Sequence, residues 1–222
     1  MIQNSVIVAI ILALAASLAY AEPTVGGSSG IIEMPTAQAL QYKEWNMGLS
    51  IHQLSSANSS VKYLLNLGTF QGLEVGFVGN NTSEGVFINA KFYLLTDNTK
   101  YPLSMALGIR NLTSFAETNV YLVASKKFQQ FNAHLGFSAD LNKKVQSKLM
   151  AGTEVFFSKN VSLLADVTGT DDLWRLNAGS RFYLSSQLAF GVFFLDILES
   201  SKDKNESGSI NIVGQISWTD FL

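Results

Sequence analysis

The sequence predicts an all-β protein, a closed antiparallel up-and-down transmembrane barrel of about twelve strands, and three observations predict it. Apolar and polar residues alternate along most of the chain after residue 45, which is the two-residue period of a β-strand. An export signal precedes the alternating part. The connections between alternating segments are short on one side and longer on the other, as in bacterial outer-membrane barrels. We therefore predict a location in the outer membrane of a Gram-negative cell.

Residues 1–21 are predicted to be a signal peptide. The run over residues 6–18 is apolar, and Ala19, Tyr20 and Ala21 supply the small-x-small pattern, so cleavage is expected before Glu22. The first five residues carry no Lys or Arg, which leaves an uncleaved membrane anchor as the alternative. The apolar run is short for a helix that crosses a bilayer, and this favours cleavage.

The composition excludes several classes of protein. The chain has no cysteine, so an exported domain of this size is held together without disulfides, and a closed barrel meets that condition. The formal net charge is −2, which gives no indication of nucleic acid as a partner. Only 14% of the residues are charged, whereas Gly (17 residues) and Phe (15 residues) are frequent. These numbers favour an exported β-protein.

The alternation places the strands within residues 45–222, the predicted barrel domain. The predicted strands cover residues 45–55, 61–68, 70–79, 84–95, 101–112, 116–127, 131–141, 147–158, 161–169, 173–184, 187–197 and 208–218. Most have about the 9–11 residues that a tilted strand needs to cross a bilayer. An even number of strands returns both termini of the chain to the periplasm. Strand 187–197 is apolar on both faces, so its orientation stays open.

The two faces of these strands differ in polarity. Ala133, Leu135 and Phe137 lie on an apolar face that we expect to contact lipid. The polar face predicts the residues that line the lumen: His52, Lys62, Glu74, Lys91, Arg110, Glu117, His134, Asp140, Glu154, Asp166, Arg175 and Arg181. The same alternation occurs in soluble sandwiches. Aromatic residues at the predicted inner strand ends favour the membrane: Trp45, Phe70, Tyr101, Phe128, Phe131, Trp218 and Phe221.

The alternation stops in residues 22–44, which are predicted to be a periplasmic leader or a plug. Glycines and a proline make this part unlike a strand. A disordered leader is one alternative. A plug is the other, because apolar residues here would otherwise contact water; its candidate residues are Ile31, Ile32, Met34, Pro35 and Thr36. Thr36 is also a suitable cap for a short helical turn over residues 37–42.

This block resembles the start of the YjbH-like family of bacterial outer-membrane proteins. There a Gly-Leu-Ile-x-x-Pro-Thr-Ala segment precedes a strand with a Gly-x-Ser pattern, and this chain has the matching residues from Gly30 to Ala37 and from Gly48 to Ser50. It departs at Gln38, where the family usually has Arg, and at residues 42–44, where an Asp-Gly turn is usual. The resemblance implies a structural or transport role in the cell envelope, linked to exopolysaccharide export.

The polar residues do not predict an enzyme, a cofactor or a metal site. His134 shares a face with Ser138 and Asp140, but spacings of four and six residues place these roughly 13 and 20 Å away. Neither histidine belongs to a cluster with the spacing of metal ligands. Two alternatives stay open: a barrel enzyme that acts on lipid or protein, and a soluble periplasmic β-sandwich that binds a ligand. An inward histidine within about 3 Å of a serine or carboxylate at a membrane interface would favour the enzyme.

The expected partners follow from the location. They are outer-membrane lipid, the barrel-assembly machinery during insertion, and polysaccharide or envelope proteins; nucleic acid is excluded. The inward charges have two interpretations, as salt-bridged struts or as the lining of a conducting pore. A twelve-stranded barrel is intermediate in width between filled and open barrels. We favour a largely occupied lumen.

Overall fold

Twelve antiparallel strands close on themselves in the order of the chain. The structure, a computed structural model, describes residues 21–53, 59–70, 72–81, 85–96, 101–114, 118–141, 145–170, 173–198 and 211–222. The strands are β1 (Glu44–Gln53), β2 (Ser59–Phe70), β3 (Leu73–Asn80), β4 (Val86–Leu95), β5 (Ser104–Arg110), β6 (Asn119–Lys127), β7 (Phe131–Asp140), β8 (Gln146–Ser158), β9 (Val161–Gly169), β10 (Trp174–Tyr183), β11 (Leu188–Leu195) and β12 (Asn211–Phe221). This confirms the predicted fold class.

The first and last strands close the barrel. Their pairing runs from Glu44 opposite Phe221 to Gln53 opposite Ile212, so the barrel has no free edge. A single closed sheet is not two packed sheets, and the β-sandwich alternative is therefore wrong. We call the end where β1 begins and β12 ends the inner end, and the opposite end the outer end.

The strand boundaries differ from the predicted ones mainly at the inner end. β2 continues to Phe70 through an irregular register beside Gly68, and β3 begins only at Leu73. β12 extends to Phe221 because Glu44 and its neighbours in β1 supply partners there. Most of the connection between the predicted strands 187–197 and 208–218 lies outside the described residues.

The outside of the barrel is apolar over most of its height. In β7 the side chain of Leu135 is 66% exposed, whereas its neighbour His134 is 3% exposed. The aromatic residues predicted for the inner end are exposed, with Trp45 partly so, and Phe128 stacks on Phe131 with their ring centroids 4.5 Å apart. In the described part of the chain, no helix is long and apolar enough to span a membrane.

The structure decides the orientation of β11, which the alternation left open. Phe193 and Leu195 point inward and are buried, whereas Phe190 and Phe194 point outward and are exposed. The inward pair belongs to an apolar cluster inside the barrel. Both faces are apolar because one contacts this cluster and the other faces the outside of the barrel.

Residues 22–41 lie inside the barrel, and we call them the luminal segment. They contact inward side chains of β3, β4, β9, β10 and β12, on opposite sides of the closed sheet. Two isolated bridges, Pro23 with Ser29 and Gly30 with Pro35, give the segment its folded-back shape. The helical turn expected after Thr36 is absent; Thr36 N instead donates to Ser29 O, because the segment bonds to itself and to the wall.

Candidate functional site: the occupied lumen

The luminal segment begins at the inner end, against β1 and β12. Asn46 Nδ2 donates to the carbonyl oxygen of Ala21 (3.5 Å), just before the predicted cleavage point. Ser217 Oγ donates to Glu22 Oε2 at 2.5 Å, and Gln215 Nε2 donates to Pro23 O at 3.1 Å. The start of the segment is thus held by polar side chains from neighbouring strands.

A buried ion pair holds the middle of the segment. Glu74 and Lys91 face each other across β3 and β4, 3.5 Å apart, with side chains 2% and 1% exposed. Glu74 accepts from Ser29 N (2.9 Å), Ser29 Oγ (2.5 Å) and Leu40 N (3.1 Å). Lys91 Nζ donates to Ser29 O at 2.9 Å and also contacts Ser29 Oγ and Gln38 O. Both charges are therefore compensated by each other and by the segment.

A second carboxylate holds the tip of the segment. Asp166 Oδ2 accepts from three successive backbone N–H groups, those of Ile32 (3.1 Å), Glu33 (2.8 Å) and Met34 (2.9 Å). Asn177 Nδ2, opposite in β10, donates to Asp166 Oδ1 at 2.7 Å. Successive N–H groups that converge on one anion form a backbone nest, and here the anion belongs to the barrel wall.

Amide side chains hold the other turn of the segment. Asn66 Nδ2 donates to Gly27 O (2.7 Å) and Asn89 Nδ2 donates to Gly26 O (3.1 Å). Gly27 has a φ of 102°, which an L-residue rarely adopts, so glycine is required for this turn. Both asparagines are buried on the inward side of their strands.

Apolar side chains fill the remaining space. Ile31, Ile32 and Met34 of the segment are each at most 1% exposed. They belong to one cluster with inward residues of the wall, among them Val123, Phe193 and Val213. In an open, water-filled pore these wall residues would be exposed, at a cost of about 1.5–3 kcal/mol for each large side chain. The inner wall is therefore built to contact the segment.

One histidine meets the distance set for a catalytic pair. His134 Nδ1 lies 2.8 Å from Ser125 Oγ, near the inner end, and that oxygen also accepts from Ala37 N at 2.9 Å. His134 Nε2 has no hydrogen-bond partner among the described residues. A nucleophilic serine normally needs a base that a third group orients. This pair has no such group in the described residues, and the segment covers it.

A cavity of about 380 Å³ lies at the outer end, above the segment. Its wall carries Lys62, Arg110, Lys148 and Arg175, and its floor includes Glu33. Arg110 Nη1 donates to the Glu33 carbonyl oxygen at 3.1 Å, and Lys148 Nζ lies 2.5 Å from Asp140 Oδ2. Positive side chains thus predominate in the lining of this cavity, which we call the outer cavity.

The segment carries two acids: Glu22, which is buried, and Glu33, which is half-buried beside the outer cavity. Burial raises the pKa of Glu33 from its ordinary value near 4.5, and the neighbouring Asp166 carboxylate acts in the same direction. The hydrogen bond that Asn177 donates to Glu33 Oε2 (3.2 Å) opposes this shift of the pKa. Burial likewise raises the pKa of Glu22, against the attraction of Arg181.

The predicted lumen residues fall into groups. His52, Glu74, Lys91, His134, Glu154, Asp166 and Arg181 are buried inside the barrel, and Arg181 donates to Ile31 O at 2.9 Å. Lys62, Arg110, Asp140 and Arg175 lie toward the outer end, where Arg175 is largely exposed. Glu117 lies outside the described residues. No group of three or more acidic or histidine side chains that could hold a metal ion occurs in the described ranges.

Comparison with known proteins identifies solved structures of similar fold. No family model matches the chain, and no curated protein matches it. Among solved structures it is similar to the KdgM porin, at 9% identity and a TM-score of 0.57, over 80% of this chain and 99% of that one. The structure of the KdgM porin in complex with disordered oligogalacturonate is 10% identical, with a TM-score of 0.58, over 81% of this chain and 99% of that one. The NanC porin is 7% identical, with a TM-score of 0.57, over 80% of this chain and 99% of that one.

The location follows from the barrel and its surface. A closed sheet satisfies every strand edge, which a bilayer interior requires, and the outward side chains of this sheet are apolar. Solved structures that share the fold include the KdgM and NanC porins. The chain is a twelve-stranded β-barrel of the bacterial outer membrane, as the sequence predicted.

Proposed function

We propose that this protein is a transport component of the outer membrane whose pore is closed by the luminal segment. The observation that carries the proposal is the way in which the segment is held. In the described residues it is attached to the wall by hydrogen bonds, one buried ion-pair cluster and apolar contacts. Contacts of this kind are reversible, so the segment can close the pore in one state and leave it in another.

A saccharide is the cargo class that we propose. Two observations support it: the fold is similar to that of a porin solved in complex with oligogalacturonate, and the outer cavity offers several cations and polar groups to such a molecule. The YjbH-like resemblance of the segment adds exopolysaccharide export as the envelope process in which the protein acts.

The packing of the motif residues supports that resemblance. Ile31 and Ile32 are buried in the apolar cluster, and Pro35 forms a bridge with Gly30. A Cβ on Gly30 would overlap the Met34 carbonyl oxygen and press against Pro35 Cα. Each of these motif residues thus has a packing role in this chain, as we would expect if the motif encodes a luminal segment.

Single-channel recording in planar bilayers tests the proposal. We expect the intact protein to be closed for most of the time, and a variant that lacks residues 24–41 to conduct steadily. The proposal would be contradicted by a deletion variant that inserts but does not conduct, provided that it keeps the heat-modifiable gel mobility of the folded parent.

A reversible lock separates gating from damage to the barrel. The chain has no cysteine, so the double variant Ala37→Cys/Ser125→Cys places one thiol on each of two residues that are in contact, with Ala37 N donating to Ser125 Oγ at 2.9 Å in the parent. We expect the oxidised form to show no openings and the reduced form to recover those of the parent. Openings at equal frequency in both forms would contradict a moving segment.

A second candidate is a hydrolase that acts on lipid or protein, since Ser125 and His134 are in contact. It requires the segment to leave before a substrate reaches Ser125, whose side chain is 4% exposed. Hydrolysis of a lipid or peptide ester that is lost in both Ser125→Ala and His134→Ala, in the variant lacking residues 24–41, would favour it. The barrel-assembly machinery and envelope proteins remain proposed partners.

A further inference from the structure

The outer cavity brings together parts of the chain that are distant in sequence. Four strands provide its cations: β2 (Lys62), β5 (Arg110), β8 (Lys148) and β10 (Arg175). The luminal segment provides part of its floor through Val25, Gly26 and Glu33. A molecule in this cavity therefore contacts the wall and the segment at once.

Arg110 differs from two of the other cations in its partners. Lys148 lies 2.5 Å from Asp140, and Arg175 lies 3.5 Å from Asp196. Arg110 donates to two neutral oxygens, Glu33 O at 3.1 Å and Asn119 Oδ1 at 3.3 Å. A carboxylate binds a guanidinium through stronger, paired hydrogen bonds than neutral oxygens do. An anionic ligand would thus compete well for the Arg110 guanidinium.

Two effects of such a ligand act in the same direction. If Arg110 turns to a ligand carboxylate, the Glu33 carbonyl loses a donor that holds the segment. The Glu33 side chain lines the same cavity, and its ionised form is repelled by a second anion. Both effects favour a segment that has moved away from the cavity. By linkage, displacement of the segment must strengthen the binding of the anion by the same factor.

We propose that the outer cavity binds carboxylate groups of an acidic oligosaccharide, and that Arg110 couples this binding to release of the luminal segment. The inference rests on the proposed function, because it requires a segment that can move. The cargo is then an acidic saccharide that opens its own path by binding Arg110.

A thiol placed in the segment reports the release. Ser28 is 1% exposed and the chain has no cysteine, so Ser28→Cys gives one buried thiol whose labelling by a maleimide measures displacement. In detergent micelles we expect a hexamer of uronic-acid sugars to raise the labelling rate about tenfold, the effect of one lost charge-assisted bond. Maltohexaose, an uncharged hexamer, should not. Equal rates with both sugars, or no change with either, would overturn the coupling.

A labelling control shows whether the sugar changes the maleimide reaction itself. Gln129 lies in the exposed turn between β6 and β7 at the inner end, remote from the cavity. The rate for Gln129→Cys should be the same with and without the acidic hexamer. A parallel rise there would mean that the sugar accelerates labelling without releasing the segment, and the proposal would fail.

Three variants assign the coupling to named residues. Glu33→Gln removes the repulsion and should bind the acidic hexamer several-fold more tightly in calorimetry. Arg110→Gln should lose both the affinity and the labelling response. Lys148→Gln removes the same charge from the cavity, but Lys148 pairs with Asp140 of the barrel wall and not with the segment. It should weaken binding yet keep the full labelling response at saturating sugar; loss of that response would contradict a special role for Arg110.

The two proposals fail in different ways. Conductance of the variant lacking residues 24–41 tests the pore and needs no acidic sugar. If that variant conducts but the hexamer neither binds nor raises labelling, only the present inference is wrong. If that variant does not conduct, the transport function is wrong whatever the sugar does.

Discussion

Asp166 shows how one side chain of the wall fixes the tip of the luminal segment. Its Oδ2 atom accepts from the N–H groups of Ile32, Glu33 and Met34, which have no strand partner at this bend. The N–H groups of Ile32 and Met34 lie inside the barrel, where water cannot replace the carboxylate easily. The carboxylate in turn receives a bond from Asn177. The tip is thus positioned by a single anion.

Replacing that anion should release the tip. In Asp166→Ala three N–H groups lose their acceptor, and each unpaired buried donor costs about 1–3 kcal/mol. We expect displacement of the segment to become easier by on the order of 3 kcal/mol, which corresponds to about 100-fold faster labelling of Ser28→Cys. Asp140→Ala is the matched control, because Asp140 points inward but bonds to Asn119 and Lys148. Equal labelling of both variants would contradict the role of Asp166.

The two segment acids predict a dependence on pH. The pKa of Glu33 is raised by burial, while Asp166, Asp196, Asn177 and Arg110 also act on it. The folded protein therefore holds a proton that the unfolded chain has lost, so stability falls as pH rises from the ordinary value near 4.5 through the raised one. At pH values below that window Glu33 is protonated in both states, and its ionisation does not lower the stability.

Glu33→Gln tests this sign. The amide cannot ionise, so the variant should lose less stability than the parent as the pH rises between about pH 4 and 8. The unfolding temperature measures this; it is the temperature at which the barrel no longer migrates on a gel like the unheated protein. Glu22 titrates in the same direction and contributes equally to both proteins. A parent whose stability instead increases more steeply with pH than that of the variant would show that the sign is wrong.

The end of the luminal segment packs against the backbone of β2. A Cβ added to Gly68 would overlap the carbonyl oxygen of Gln41, and Lys43 N donates to Gly68 O at 2.9 Å. The register of β2 and β3 also shifts beside this glycine. Gly68 is required here because two backbones approach each other closely.

An added methyl group should therefore separate these elements. Gly68→Ala forces the segment or β2 to move, and overpacking of this kind typically costs about 1–3 kcal/mol. Gly79→Ala in β3 is the control, because nothing lies within 4 Å of a Cβ built there. We expect a lower unfolding temperature and faster Ser28→Cys labelling for Gly68→Ala alone. Equal unfolding temperatures and labelling rates of the two variants would show that the contact with Gln41 does not contribute to stability.

The whole molecule is a barrel that is apolar on the outside and closed by its own chain on the inside. Inward polar groups contact the segment, and inward apolar groups surround its isoleucines. The lumen of the described structure is therefore a packed core over part of its height and a cavity at the outer end. These two regions correspond to the closed pore and the ligand site that we propose.

The membrane environment gives a test at this scale. Leu135 lies midway along β7 and is 66% exposed, so Leu135→Arg should impair insertion by about 2–4 kcal/mol. Val145, just before β8 at the outer end, is 70% exposed, and Val145→Arg should cost only about 0–1 kcal/mol there. The yield of heat-modifiable barrel in outer-membrane fractions measures the difference. Similar yields would contradict the assignment of the lipid face.

Strand number and the two faces were predictable from the two-residue period, whereas boundaries such as the ends of β2 and β12 depend on neighbouring strands. His134 and Asp166 were placed on the inward side from that period alone, and both are inward in the structure. The period failed at β11, where Phe193 and Phe194 are both apolar. There the inward face contacts an apolar cluster rather than water, and no local pattern reports that.

The sequence by itself therefore determined a closed barrel, its location and, outside β11, which strand side chains point inward. Only the tertiary structure decided what those side chains contact. Register between strands places Glu74 opposite Lys91 and Ser125 opposite His134, and the path of residues 22–41 places three N–H groups on Asp166. The physical reason is that alternation is a property of one strand, whereas partners come from strands and a segment that are far apart in the chain.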